Sequence, residues 1–163
     1  MLADIVSKNG NLLLNIPVRG DGTIDDKEQA VLAGIGAWMD VNKECIFDTR
    51  PWKIFGEGPA SEGAALSAQG FNEGKGKPFT AADVRFTTKG NALYAIVLGT
   101  PQQDLQIKSL GTTAKLLDKP VSNITLLGST EKVQWLQSAD ALTIKAPEKT
   151  PNDIAVVFKI TTN

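Results

Sequence analysis

The side chains in this sequence best placed to do chemistry are its carboxylates. Asp25, Asp26 and Glu28 cluster at one turn, and Glu57, Glu62 and Glu73 follow in a glycine-rich stretch. Two carboxylates facing each other roughly 5 Å apart would make a retaining glycoside-hydrolase pair, one attacking the sugar and one acting as acid and base. That work requires apolar surroundings that raise one carboxyl pKa. None of the six has such a setting in the sequence, because the first three read as a solvated helix start and the others as loop. Ordinary surface charge is the better reading for each.

Other chemistries are excluded by composition. Histidine is absent, so there is no His general base, no Ser-His-Asp or Cys-His nucleophile system and no His-ligated metal. A single cysteine, Cys45, rules out an internal disulfide framework and a thiolate zinc cage. Its place just past a helix end suits a small core residue. Asp21-Gly22-Thr23-Ile24-Asp25 with Glu28 imitates the second half of a calcium loop. The first and third ligand positions, however, fall on Pro17 and Arg19, which leaves a helix-capping turn as the reading.

Three further motifs carry little. Arg19-Gly20-Asp21 matches adhesion ligands over only three residues, and a helix-entry turn explains it better. Asn123-Ile124-Thr125 is a glycosylation sequon that matters only in a eukaryotic secretory route. Trp52, Trp135, Tyr94 and Phe71 could stack on a sugar ring, although core packing is the commoner use of such residues. The residues alone therefore assign no catalytic side chain, metal ligand or cofactor, and they leave the substrate-binding residues unknown.

The elements that hold these residues divide the chain near Asp48-Thr49-Arg50-Pro51, where Pro51 biases Arg50 towards extended geometry. Before that point, residues 11–16 run apolar on both faces, as a buried parallel strand does. A helix is expected from about Asp25 to Asn42, capped by Thr23 and favoured at its positive end by Asp25, Asp26 and Glu28. Val31, Leu32, Ile35, Trp38 and Met39 form its apolar stripe. After Pro51, strands are expected at 83–88, 92–98, 105–110, 124–127, 133–136, 141–145 and 154–160. The first two are joined by Lys89-Gly90-Asn91. Seven short strands at such spacing predict an antiparallel β-sandwich. Trp52 is expected to staple the helix to it.

With 163 residues, 42% of them hydrophobic, the chain has room for one soluble domain and a small second piece. Lys+Arg 17 against Asp+Glu 18 gives a net charge of -1, which argues against nucleic acid as a partner. No apolar run approaches a membrane span, and the first residues lack the features of a signal peptide. The chain enters 11–16 abruptly, as though cut from something longer, with Met1 an added initiator.

Several segments together resemble the α-L-fucosidases of glycoside hydrolase family 29. They are Ile5-Val6-Ser7-Lys8-Asn9-Gly10-Asn11-Leu12-Leu13-Leu14-Asn15-Ile16-Pro17, Asp21-Gly22-Thr23-Ile24, Ile35-Gly36-Ala37-Trp38, Val41-Asn42, Thr49-Arg50-Pro51-Trp52, Gly56-Glu57-Gly58-Pro59, Phe79-Thr80-Ala81 and Asp83-Val84-Arg85-Phe86-Thr87-Thr88-Lys89. The likeness covers essentially the whole chain and is most specific over the first sixty residues or so. It implies a C-terminal fragment in which residues 1–50 are the last strand and helix of a (β/α) barrel and residues 51–163 a mainly-β sandwich.

The same resemblance implies a parent enzyme that hydrolyses fucosylated glycans with retention, through an Asp nucleophile and an acid/base carboxylate. Both groups lie upstream of the segment represented here, so no catalytic residue is carried over and the fragment itself is expected to be a non-catalytic accessory. The parent is expected to be exported, to the periplasm, the exterior or the lysosome. The orphaned strand 11–16 is expected to self-associate or to refold onto the sandwich. Relatives with Gly in place of Lys43 imply a left-handed helix cap at Asn42 or Lys43. Two readings of other kinds remain: a free-standing carbohydrate-binding β-sandwich, and a structural interaction domain.

Overall fold

The computed structural model describes residues 1–61 and 77–163. Glu62, Phe71 and Glu73 lie outside them. Among the described residues eight strands form: β1 (Arg50–Glu57), β2 (Val84–Lys89), β3 (Ala92–Val97), β4 (Leu105–Ile107), β5 (Val121–Leu126), β6 (Trp135–Gln137), β7 (Leu142–Ile144) and β8 (Val156–Thr162). One sheet has the order β1-β2-β3-β8-β5 and the other β4-β7-β6, with every pairing antiparallel. Phe86, Leu93, Val156, Phe158 and Ile160 of the larger sheet pack with Ile107, Leu142 and Ile144 of the smaller in one buried core. This is the expected β-sandwich.

Strand β3, Ala92-Leu93-Tyr94-Ala95-Ile96-Val97, is buried at every position, so a second layer must cover the other face of its sheet. On that side Tyr94, Ile96 and Val157 form a smaller core with Ala3 and Cys45, and Trp38 packs against it. The cover is supplied by two helices, α1 (Leu2–Ser7) and α2 (Asp26–Asn42), and the short 3-10 turn Lys43–Cys45.

Several expectations need correcting. Residues 11–16 form no strand: they carry no regular secondary structure and no ladder pairing, with Leu13 94% exposed. A strand is defined by its partners, and among the described residues this segment pairs with no strand of either sheet. Nor has it refolded onto the sandwich. Helix α1 precedes this segment, an element that the sequence pattern did not signal. The N-cap of α2 is Asp25 rather than Thr23. Asp25 Oδ1 accepts from the backbone N–H of Lys27 and Glu28, 2.9 and 3.0 Å, while the Thr23 hydroxyl is committed to Asp21 Oδ1 at 2.7 Å.

At the other end of α2 no left-handed cap forms. Lys43 has φ -53 and the chain tightens into a 3-10 turn; the positive φ falls later, at Asp48. The strand missed by the sequence pattern is β1. It sits at a sheet edge, where Pro51 leaves no ladder donor unmet. Gly56 is required there, since a Cβ would stand 2.2 Å from the Val84 carbonyl oxygen.

Candidate functional site

The joint between the helices and the sandwich contains the most heavily committed polar groups of the molecule. Arg85, on β2, is 1% exposed. Its Nε donates to Asp4 Oδ1 on α1, and its Nη1 donates to the Val84 carbonyl at 3.0 Å and to Ser61 Oγ at 3.2 Å. The guanidinium also lies over the rings of Phe55 and Phe79, 5.4 and 5.3 Å from their centroids, a favourable cation–π setting. Asp4 takes a second cation, Lys8, at 2.9 Å. Burial opposes the charge on Asp4, but hydrogen bonds from Arg85 and Lys8 outweigh it and hold its carboxyl below the usual carboxylate range.

Helix α2 is fastened separately. Trp38 Nε1 donates to the Ala155 carbonyl at 2.9 Å, and Lys159 on β8 reaches Glu44 at 2.9 Å. Gly128, at φ +76, lets the chain pass so close to the helix that a Cβ would stand 2.4 Å from Val41 Cγ1. Cys45 is fully buried in the smaller core, and burial pushes its thiol up to about 12. Trp38 therefore performs the stapling expected of Trp52. Trp52 instead lies edge-on to Phe86 at 5.0 Å, against the sandwich core.

Only the C-terminal half of α2 is covered. Val31 and Ile35 face, with Leu2, Leu12, Leu14 and Trp38, an open groove of about 650 Å³. Among the described residues no Asp, Glu, Lys or Arg lines it, so what it offers is apolar surface.

The sequence-derived candidates are dispersed into structural tasks. Asp21 accepts from the N–H and hydroxyl of Thr23, 3.0 and 2.7 Å, and these bonds pull its carboxyl below the ordinary value. Asp25 caps α2, with Asp26 and Glu28 in the first turn. Glu57 accepts from the backbone N–H of Lys108 and Ser109, both at 2.8 Å, tying β1 to the opposite sheet. Tyr94 is buried, and Trp135 packs on the first core. Asn123 is exposed on β5, an edge strand. Two carboxylates, Glu131 and Glu148, share a cleft of about 130 Å³ with Lys132 and Lys145, below the roughly 300 Å³ of small-molecule sites.

Arg85 and Asp83 escaped the sequence reading. Asp83 is buried and accepts from the N–H of Ala60 and Thr80, 2.6 and 2.9 Å, and from the Thr80 hydroxyl at 3.0 Å. The available signal was an Asp and an Arg flanking Val84 in an otherwise apolar strand, where a charge must find a partner.

Comparison with known proteins settles the affiliation. The family model Alpha-L-fucosidase matches residues 1–44, and the model Alpha-L-fucosidase C-terminal domain matches residues 77–161. The chain belongs to the α-L-fucosidase family. It is 30% identical over 159 residues to tissue alpha-L-fucosidase of Homo sapiens, covering 96% of this chain and 28% of that protein. An alpha-L-fucosidase of Branchiostoma floridae is 30% identical over 155 residues, 94% of this chain and 29% of the relative. Among solved structures, Thermotoga maritima alpha-fucosidase in complex with a mechanism-based inhibitor superposes with TM-score 0.70 at 25% identity, over 98% of this chain and 32% of that one. The chain thus spans less than a third of these relatives, and it carries the accessory C-terminal domain of a fucosidase.

Proposed function

We propose that the chain serves as the C-terminal part of a retaining α-L-fucosidase that releases fucose from glycans, and that it contributes support rather than reacting groups. The observation that carries this is the joint. Residues within the α-L-fucosidase match, 1–44, are bolted to the C-terminal domain by Asp4–Arg85 and Trp38–Ala155. In this reading residues 1–50 are the end of a barrel and 51–163 brace it. The groove beside Val31 and Ile35 is the seat of further barrel elements, and the apolar segment 11–16 pairs with barrel strands there. Where no barrel covers it, that segment promotes self-association. Glycan reaches the enzyme through the barrel, with neither nucleic acid nor membrane as a partner.

Retention is the expectation that the family resemblance carries, with an Asp nucleophile and an acid/base carboxylate acting by double displacement in the barrel. The test is to extend the chain upstream through a barrel and follow hydrolysis of an aryl α-L-fucoside by proton NMR. α-L-fucose appearing before mutarotation is the expected product. β-L-fucose as the first product would refute retention, and inactivity of a folded extended chain would refute the fucosidase reading.

A further inference from the structure

A second cleft opens at the β2–β3 hairpin end of the sandwich, away from the helices. It holds about 370 Å³, within the range of small-molecule sites. One side is apolar, from Trp52, Leu116 and Leu117, and the other is polar, from Asn91, Asp118, Lys119 and Thr162. The polar groups are largely unspent. Among the described residues the Asn91 amide, the Thr162 hydroxyl and Trp52 Nε1 find no hydrogen-bond partner, while Asp118 commits Oδ1 to Lys53 at 2.8 Å and keeps Oδ2 open. Lys53 pairs with Asp118 and Lys119 also lines the cleft, so the site carries charge of both signs.

We propose that this cleft is a saccharide-binding site for a pyranose unit of a neutral glycan. A sugar ring has an apolar C–H face and a rim of hydroxyls, and the cleft offers the complement of each. The indole and leucine side chains meet the face. The Asn91 amide donates and accepts, the open Asp118 oxygen accepts from a hydroxyl, and Thr162 can do either. A carboxylate accepting from sugar hydroxyls makes the stronger, charge-assisted kind of bond. A purely apolar ligand would leave these groups desolvated without partners. The proposal borrows from the fucosidase reading only that glycans are at hand, and it places their binding apart from any barrel pocket.

The test is amide NMR of the full chain titrated with methyl α-L-fucoside, methyl β-D-galactoside and chitobiose in turn. Concentrations should reach about 50 mM, above the roughly millimolar constant expected of a one-ring ligand. Saturable shifts at residues 91, 93, 117 and 118 with at least one sugar are expected, weakened at least ten-fold in Asn91→Ala and Asp118→Ala. Both side chains are exposed, so these variants keep the fold. Trp52→Phe, which retains a ring against Phe86, is expected to weaken binding several-fold. The proposal is overturned if none of the three sugars shifts these amides, or if shifts fall elsewhere or persist undiminished in Asn91→Ala and Asp118→Ala. The anomeric NMR test does not involve this cleft, so either conclusion can fail alone.

Discussion

Replacing Asp4 by Asn removes the charge that faces Arg85 while keeping the side-chain shape. The guanidinium, 1% exposed, would then sit in the joint without its counter-ion. Breaking a buried pair by removing one partner costs about 3–5 kcal/mol. Two features reduce that here. Asp4 keeps 17% side-chain exposure, and Arg85 retains Val84 O, Ser61 Oγ and the rings of Phe55 and Phe79. We therefore expect a loss of about 2 kcal/mol, or roughly 4–8 °C in melting midpoint for a chain of this size.

The pH dependence has a definite sign. The folded pKa of Asp4 lies below its unfolded value, so its contribution is complete above the unfolded pKa of about 3.9 and is lost as pH falls through the folded pKa. Asp4→Asn should accordingly flatten the acid limb of the stability curve. Lys8→Gln, which removes a cation 47% exposed, should cost no more than about 0.5 kcal/mol. Urea melts from pH 3 to 7, with hydrogen exchange on α1, read both effects. A variant melting with the wild type, or one whose acid limb is unchanged, would refute the role given to this pair.

Gly128→Ala should destabilise the chain by about 1–3 kcal/mol, because it places a methyl against Val41 at a left-handed position. A urea midpoint equal to the wild type would show that the helix is not held there. The Cys45 thiol, fully buried and raised to about 12, should react with a thiol reagent at pH 8 only at the rate of unfolding. Rapid stoichiometric labelling of native protein would contradict the described packing.

The sandwich was legible because its strands announce themselves. β2, β3, β7 and β8 fall within about two residues of their expected limits, since period-two alternation or continuous apolar runs follow directly from burial on one or both faces. β1 was harder, as Pro51 and Gly56 imitate a linker, yet Trp52 and Ile54 do alternate toward the core. The segment 11–16 misled because its apolar pattern specifies a strand only where neighbours exist to pair with it. The joint was the least legible part. Asp4 and Arg85 are 81 residues apart, and nothing local in either stretch points to the other. Conversely, Asp21, Asp25 and Glu57, which stood out in sequence, proved to be caps and ties, tasks that the same residue types perform whenever backbone N–H groups lack partners.

The central claim, that this chain belongs to a fucosidase yet contributes none of its reacting groups, is tested most directly by assaying the purified chain on a fluorogenic aryl α-L-fucoside. Hydrolysis at the buffer rate is predicted, unchanged in a variant carrying Asp25→Asn and Glu57→Gln, because positioned carboxylates supply most of the acceleration and no pair lines the described groove. Turnover above the buffer rate that follows the protein through a second column would contradict it.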